Sequence, residues 1–117
     1  MTTKNSPQPH LANFDAYTVA LALVESLGPV AGALARHDGD LGRQLRRAAS
    51  SIVLNVAEGR ARAGGDKLHL WRVAMGSANE VAAVLDVAVA WGYIDDATAA
   101  RELVQRELAM LYRLTQR

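Results

Sequence analysis

The 117-residue sequence predicts an all-α fold, an antiparallel up-down four-helix bundle, on three observations. Apolar residues recur at three- and four-residue steps through four successive stretches; short glycine- and aspartate-containing links divide those stretches; and no run alternates apolar with polar residues as a half-buried strand does. Four amphipathic helices with short connections bury their stripes most simply against one another. Half of the residues are hydrophobic but only 5% are aromatic, a composition suited to closely packed helices with small side chains at the contacts.

Residues 1–13 are polar and interrupted by Pro7 and Pro9, so a flexible N-terminal arm is expected there, with the bundle domain spanning 14–117. From about Phe14 the spacing of Tyr17, Ala20, Leu21, Val24, Leu27, Val30, Ala31 and Leu34 marks a first helix, with Asn13 or Asp15 able to cap it. Gly28-Pro29 falls inside it. Proline lacks a backbone donor and crowds the preceding turn, so the helix is expected to be kinked or broken at that point. His37-Asp38-Gly39-Asp40 supplies a turn and two cap-competent aspartates, and the second helix follows over about Leu41 to Arg60. Ala61 to Gly65 breaks the pattern, Asp66 is the expected cap, and the third helix runs from about Lys67 to Ala90. Gly76 inside it costs about 1 kcal/mol against alanine, which a close backbone approach would offset. Gly92 ends the third helix, and Asp95 or Asp96 caps a fourth whose inward face holds Ala97, Ala100, Val104, Leu108 and Leu111.

Composition excludes several classes. Without cysteine there is neither a disulfide framework nor a thiolate nucleophile or metal ligand. The first ten residues hold no apolar run and no later segment reaches about 18 uninterrupted apolar residues, so a cytoplasmic protein with no membrane partner is expected. Thirteen basic against twelve acidic residues leave a formal charge of +1, which gives no global pull toward nucleic acid.

The chain is organised around Arg46 to Gly59. Leu45, Ala48, Ala49, Ile52, Val53 and Val56 form its apolar stripe, and Asn55 lies on that stripe. A buried amide left unpaired costs roughly 1–3 kcal/mol, so a structural polar network is expected among Arg46, Arg47, Ser51, Asn55, Glu58, Ser77 and Glu80. The two carboxylates lack the Glu-x-x-His partners of a di-iron bundle, so no metal or other cofactor is expected. Ser51 and His69 have no nucleophile elbow or oxyanion loop around them, so no catalytic residue is assigned and no enzyme is expected. Arg36 to Arg72 is the one locally basic region. If RNA or single-stranded DNA binds, the contact is expected to run through Arg43, Arg47, Arg60, Arg62 and Lys67. Val81, Val84, Leu85, Val87 and Val89 place apolar residues on more than one face of the third helix, which one bundle does not cover, so a homo-oligomer is expected.

Four blocks carry a family resemblance: Arg46-Arg47-Ala48-Ala49-Ser50-Ser51-Ile52, Asn55-Val56-Ala57-Glu58-Gly59, Ala74-Met75-Gly76-Ser77-Ala78-Asn79-Glu80 and Gly92-Tyr93-Ile94. In these and their spacing the chain resembles the bacterial four-helix-bundle proteins named after the intervening sequences of 23S ribosomal RNA genes. It is also distantly similar to the accessory variability proteins of diversity-generating retroelements, basic pentamers that bind a reverse transcriptase and nucleic acid. The resemblance implies a four-helix protomer in a homopentameric ring without established enzymatic activity. The expected role is a non-enzymatic scaffold that recruits a protein partner. The competing role is a nucleic-acid-binding accessory protein using the basic rim around Arg43 to Arg72.

Overall fold

The computed structural model describes residues 8–116. A one-turn 3₁₀ helix, Pro9–Leu11, leads into four α-helices: α1 (Asp15–His37), α2 (Gly39–Arg60), α3 (Gly64–Ala90) and α4 (Thr98–Thr115). Each helix packs on its two neighbours around a square, α1 on α2 and α4, α3 on α2 and α4. The direction alternates, as contacts far apart in sequence show: Ser51 meets Ser77 near mid-helix while Trp71 reaches back to Val56, and Met75 meets Thr115 while Asp86 meets Arg101. The expected all-α up-down bundle is the observed fold. Leu23, Leu34, Leu45, Ile52, Leu85 and Leu111 are fully buried at its centre.

Local chemistry accounts for the helix ends. Asp38 caps α2, its side chain accepting from the Leu41 N–H at 3.1 Å. Gly92, at φ 78°, ends α3 in a Schellman arrangement: the Tyr93 N–H donates to the Ala88 carbonyl and the Gly92 N–H to that of Val89, both at 2.9 Å. Two expected caps move. α3 starts at Gly64, three residues earlier than the reading, so Asp66 sits in its first turn and not at its cap. There its charge still favours the positive helix end. Ala97, in the left-handed region at φ 54°, occupies the position before α4, while Asp96 accepts from the Thr98 N–H and its carbonyl from Arg101 Nε.

α1 is kept whole through Pro29. The break offered as one alternative does not occur, because Glu25, Gly28 and Pro29 all lie on the exposed face while Leu27, Ala31 and Leu34 hold the opposite face in the core. The carbonyl that loses its donor therefore faces water. The arm also needs correction. Leu11 is buried and Phe14 is nearly so, which ties residues 8–13 to the bundle; residues 1–7 lie outside the described residues. α1 and α3 are each long and apolar enough to cross a membrane by length and composition, and in this fold their apolar faces fill the bundle core.

Gly59 and Gly76 behave oppositely. A Cβ on Gly59 would stand 2.5 Å from Trp71 Nε1, so glycine there admits the indole, which donates to the Val56 carbonyl at 3.2 Å. A Cβ on Gly76 would meet nothing within 4 Å, so no close approach within the chain offsets its cost.

Candidate functional site

The predicted polar network divides. Asn55 Nδ2 donates to the Ser51 carbonyl at 2.9 Å and to Ser51 Oγ at 3.1 Å, and Ser77 Oγ donates to Ser51 Oγ at 2.8 Å. Ser51, Asn55 and Ser77 are half-buried, and the hydroxyl pair joins the Trp71–Val56 hydrogen bond in tying α2 to α3. Asn55 thus folds back on its own helix, with Ser51 making the crossing. Arg46, Arg47, Glu58 and Glu80 are exposed and stay outside the network, contrary to expectation. Glu58 pairs with Arg62 at 2.9 Å along the surface of α2. Four-residue steps align side chains along one side of a helix but do not set how far round that side reaches, and Glu58 and Glu80 fall past the edge of the buried stripe.

Ser51 and Asn55 form one wall of an open groove on the outside of α2, completed by Arg43, Arg46, Arg47, Ser50 and Leu54. Leu54 is 66% exposed in it. A smaller depression between α1 and α2, about 300 Å³, is lined by Val24, Leu27, Ala31, Leu45, Ala49 and the same Arg46. α2 therefore presents an apolar side chain among cationic and hydrogen-bonding ones.

The basic rim is largely spoken for. Arg43 pairs with Asp40 and Arg62 with Glu58. The Arg60 guanidinium lies 4.4 Å from the Phe14 ring centroid and the Lys67 ammonium 5.3 Å from that of Trp71, both cation–π distances. Of the five residues expected to contact nucleic acid, Arg47 alone is engaged in none of these contacts, and it lies in the α2 groove with Arg46. No group of three or more His, Asp or Glu side chains among the described residues is placed to hold a metal ion.

α3 carries a second exposed stripe. Val73, Gly76, Glu80, Ala83, Val87 and Ala90 are exposed and follow one another at steps of three, four, three, four and three, the spacing of a coiled-coil seam. This stripe points away from the core face of Ala74, Ala78, Val81, Leu85 and Ala88. At its end Trp91, 71% exposed, stacks on Tyr93 with centroids 6.3 Å apart, and Tyr93 stacks on His37 at 4.8 Å.

Sequence reasoning missed one residue altogether. Glu107 is fully buried in α4, both carboxyl oxygens lack a hydrogen-bond partner, and burial pushes its carboxyl up to about 8. The signal was available: positions 100, 104, 107, 111 and 115 make the buried stripe of α4. The reading took Leu108 as the inward residue, and Leu108 is only half-buried beside it.

A profile of the 23S rRNA-intervening sequence proteins matches residues 12–113. Among solved structures, the crystal structure of a protein of unknown function from the S23 ribosomal protein family of Bacteroides thetaiotaomicron superposes with a TM-score of 0.79 at 16% identity, covering 87% of this chain and 99% of that one. At that identity the likeness concerns the fold. No curated protein matches the chain.

Proposed function

The chain belongs to the 23S rRNA-intervening sequence protein family, and from the outer face of α3 we propose that it works as a non-enzymatic homo-oligomeric scaffold, a cytoplasmic ring of protomers that recruits a protein partner. The exposed stripe Val73–Gly76–Glu80–Ala83–Val87–Ala90 carries this reading. Val73 and Val87 are its apolar knobs, and Gly76, Ala83 and Ala90 admit a close helix, so water contact wastes the burial that a facing helix would gain. Gly76, costly inside a single chain and facing open space, fits such an approach from another protomer.

The α2 groove supplies a complementary surface. Arg46 and Arg47 can meet Glu80 of a neighbouring copy while Leu54 covers part of the apolar stripe. Two different patches that fit each other make a head-to-tail interface, and such an interface closes into a ring when the rotation permits. The family resemblance favours five copies. Tyr112, exposed on α4 and away from the α3 stripe, is left for a partner protein.

Sedimentation of wild type and of a Val73→Asp/Val87→Asp variant tests the interface. Dissociation of the variant to a folded monomer is the expected result; an oligomer unchanged in mass would move the interface elsewhere. Nucleic-acid binding is the weaker reading, since the chain's formal charge is only +1 and Arg43 and Arg62 pair with Asp40 and Glu58.

A further inference from the structure

Glu107 sits at the middle of the stripe by which α4 joins the bundle, with Ala100 and Val104 on one side and Leu111 and Thr115 on the other. α4 packs on α1 and α3. The buried faces of those helices hold alanine, valine, leucine and Trp71, so nothing there offers the carboxyl a positive charge. On α1 the groups Asp15, Glu25, Arg36 and His37 are exposed, and Tyr17 is the one titratable side chain half-buried. On α3 Asp66, His69, Arg72, Glu80 and Asp86 are exposed, while half-buried Lys67 lies over Trp71. On α4 itself Arg101 turns outward to Asp86 at 2.7 Å, and Glu102, Arg106 and Arg113 are exposed. Thr115, the other buried polar side chain, is satisfied by the Leu111 carbonyl at 2.8 Å.

We propose that Glu107 makes the docking of α4 proton-dependent: the bundle closes over the neutral carboxylic acid, and loss of that proton to solvent loosens α4 from α1 and α3. A carboxylate with neither cation nor protein donor within an apolar core is the costliest arrangement available to this side chain, whereas the protonated acid forfeits only its hydrogen bonds. The direction follows from linkage. With the folded group at about 8 and the ordinary value at 4.5, the unfolded chain gives up the proton first and binds fewer protons across that interval. Stability therefore falls as pH rises from about 4.5 to about 8 and levels off above it. This is opposite to a carboxylate held by a salt bridge. Because Glu107 lies on the core side of α4, the device is independent of the α3 surface assigned to self-association.

The test compares full-length wild type with Glu107→Gln and Glu107→Leu. Denaturant unfolding is measured at half-unit pH steps across the acid-to-alkaline range, and hydrogen exchange of the α4 amides is corrected for intrinsic rates. The wild-type unfolding constant should rise relative to Glu107→Gln by up to tenfold per pH unit in that interval, with α4 exchanging first, while both variants track each other. Parallel pH profiles for wild type and Glu107→Gln would overturn the proposal. If neither variant folds, carbon-13 titration of the Glu107 carboxyl in folded wild type decides. A midpoint in the ordinary carboxylate range overturns it, and a midpoint near neutrality or above supports it.

Discussion

Replacing Gly59 with alanine adds one methyl group where α2 passes the Trp71 indole. The new Cβ would lie 2.5 Å from Nε1 and 2.6 Å from Cδ1, distances that no real Cβ contact holds. Trp71 is only 5% exposed, packs against Phe14 with centroids 5.9 Å apart and donates to the Val56 carbonyl, so it has no empty space to retreat into. Moving it forfeits a buried hydrogen bond, about 1–3 kcal/mol, and forces core strain of about 1–3 kcal/mol. The better helix propensity of alanine returns about 1 kcal/mol. The balance is roughly 3 kcal/mol of destabilisation. Gly32→Ala serves as control, because a Cβ there meets nothing within 4 Å and should stabilise α1 by about 0.5–1 kcal/mol. Guanidinium unfolding followed by circular dichroism, with tryptophan fluorescence reporting the indole, gives both values. Shifts of the same sign for the two substitutions would refute the reasoning.

Three further outcomes follow. Asn55→Leu removes both bonds to Ser51 and should lower stability by about 1–3 kcal/mol, against about 0.5 kcal/mol for a freely solvated asparagine; an unchanged denaturation midpoint would count against a structural role for Asn55. Between pH 5 and 8 the wild type should lose on the order of 4 kcal/mol relative to Glu107→Gln, from a folded carboxyl at about 8 against 4.5, and chemical denaturation at both pH values checks it. Arg60, Arg62 and Lys67 changed together to alanine should leave any low-salt binding of labelled RNA or single-stranded DNA nearly intact if Arg46 and Arg47 of the α2 groove carry the contact. A marked drop in a fluorescence titration would return the rim to consideration.

The fold was legible because it rests on periodicity. The inward residues of α2 follow the steps read from the chain, as do Ala20, Leu27, Ala31 and Leu34 on α1. On α1 Tyr17, Leu21, Val24 and Val30 are instead half-buried and Leu23 takes the centre. Gly92 and Asp38 end and start helices by chemistry that sequence displays. The surface roles were less so. Glu80 and Glu58 share helical spacing with network members yet point outward, since a stripe's width depends on the helices that pack over it. Pro29 leaves α1 whole because of the face it occupies, which is a tertiary matter. Glu107 escaped notice because a charged residue at an apolar register position reads as an edge, and only the packing of α4 places it at the centre of the seam. The alternate seam on α3 was visible as an excess of apolar residues, whereas its heptad order became plain once the core face had been fixed.

Self-association is the claim on which the scaffold reading depends, and native mass spectrometry of the full chain at low micromolar concentration tests it most directly. A dominant species at five times the protomer mass of 12.6 kDa, falling to the protomer when Val73 and Val87 are both aspartate, is the predicted result. A wild-type spectrum showing only the protomer would contradict it.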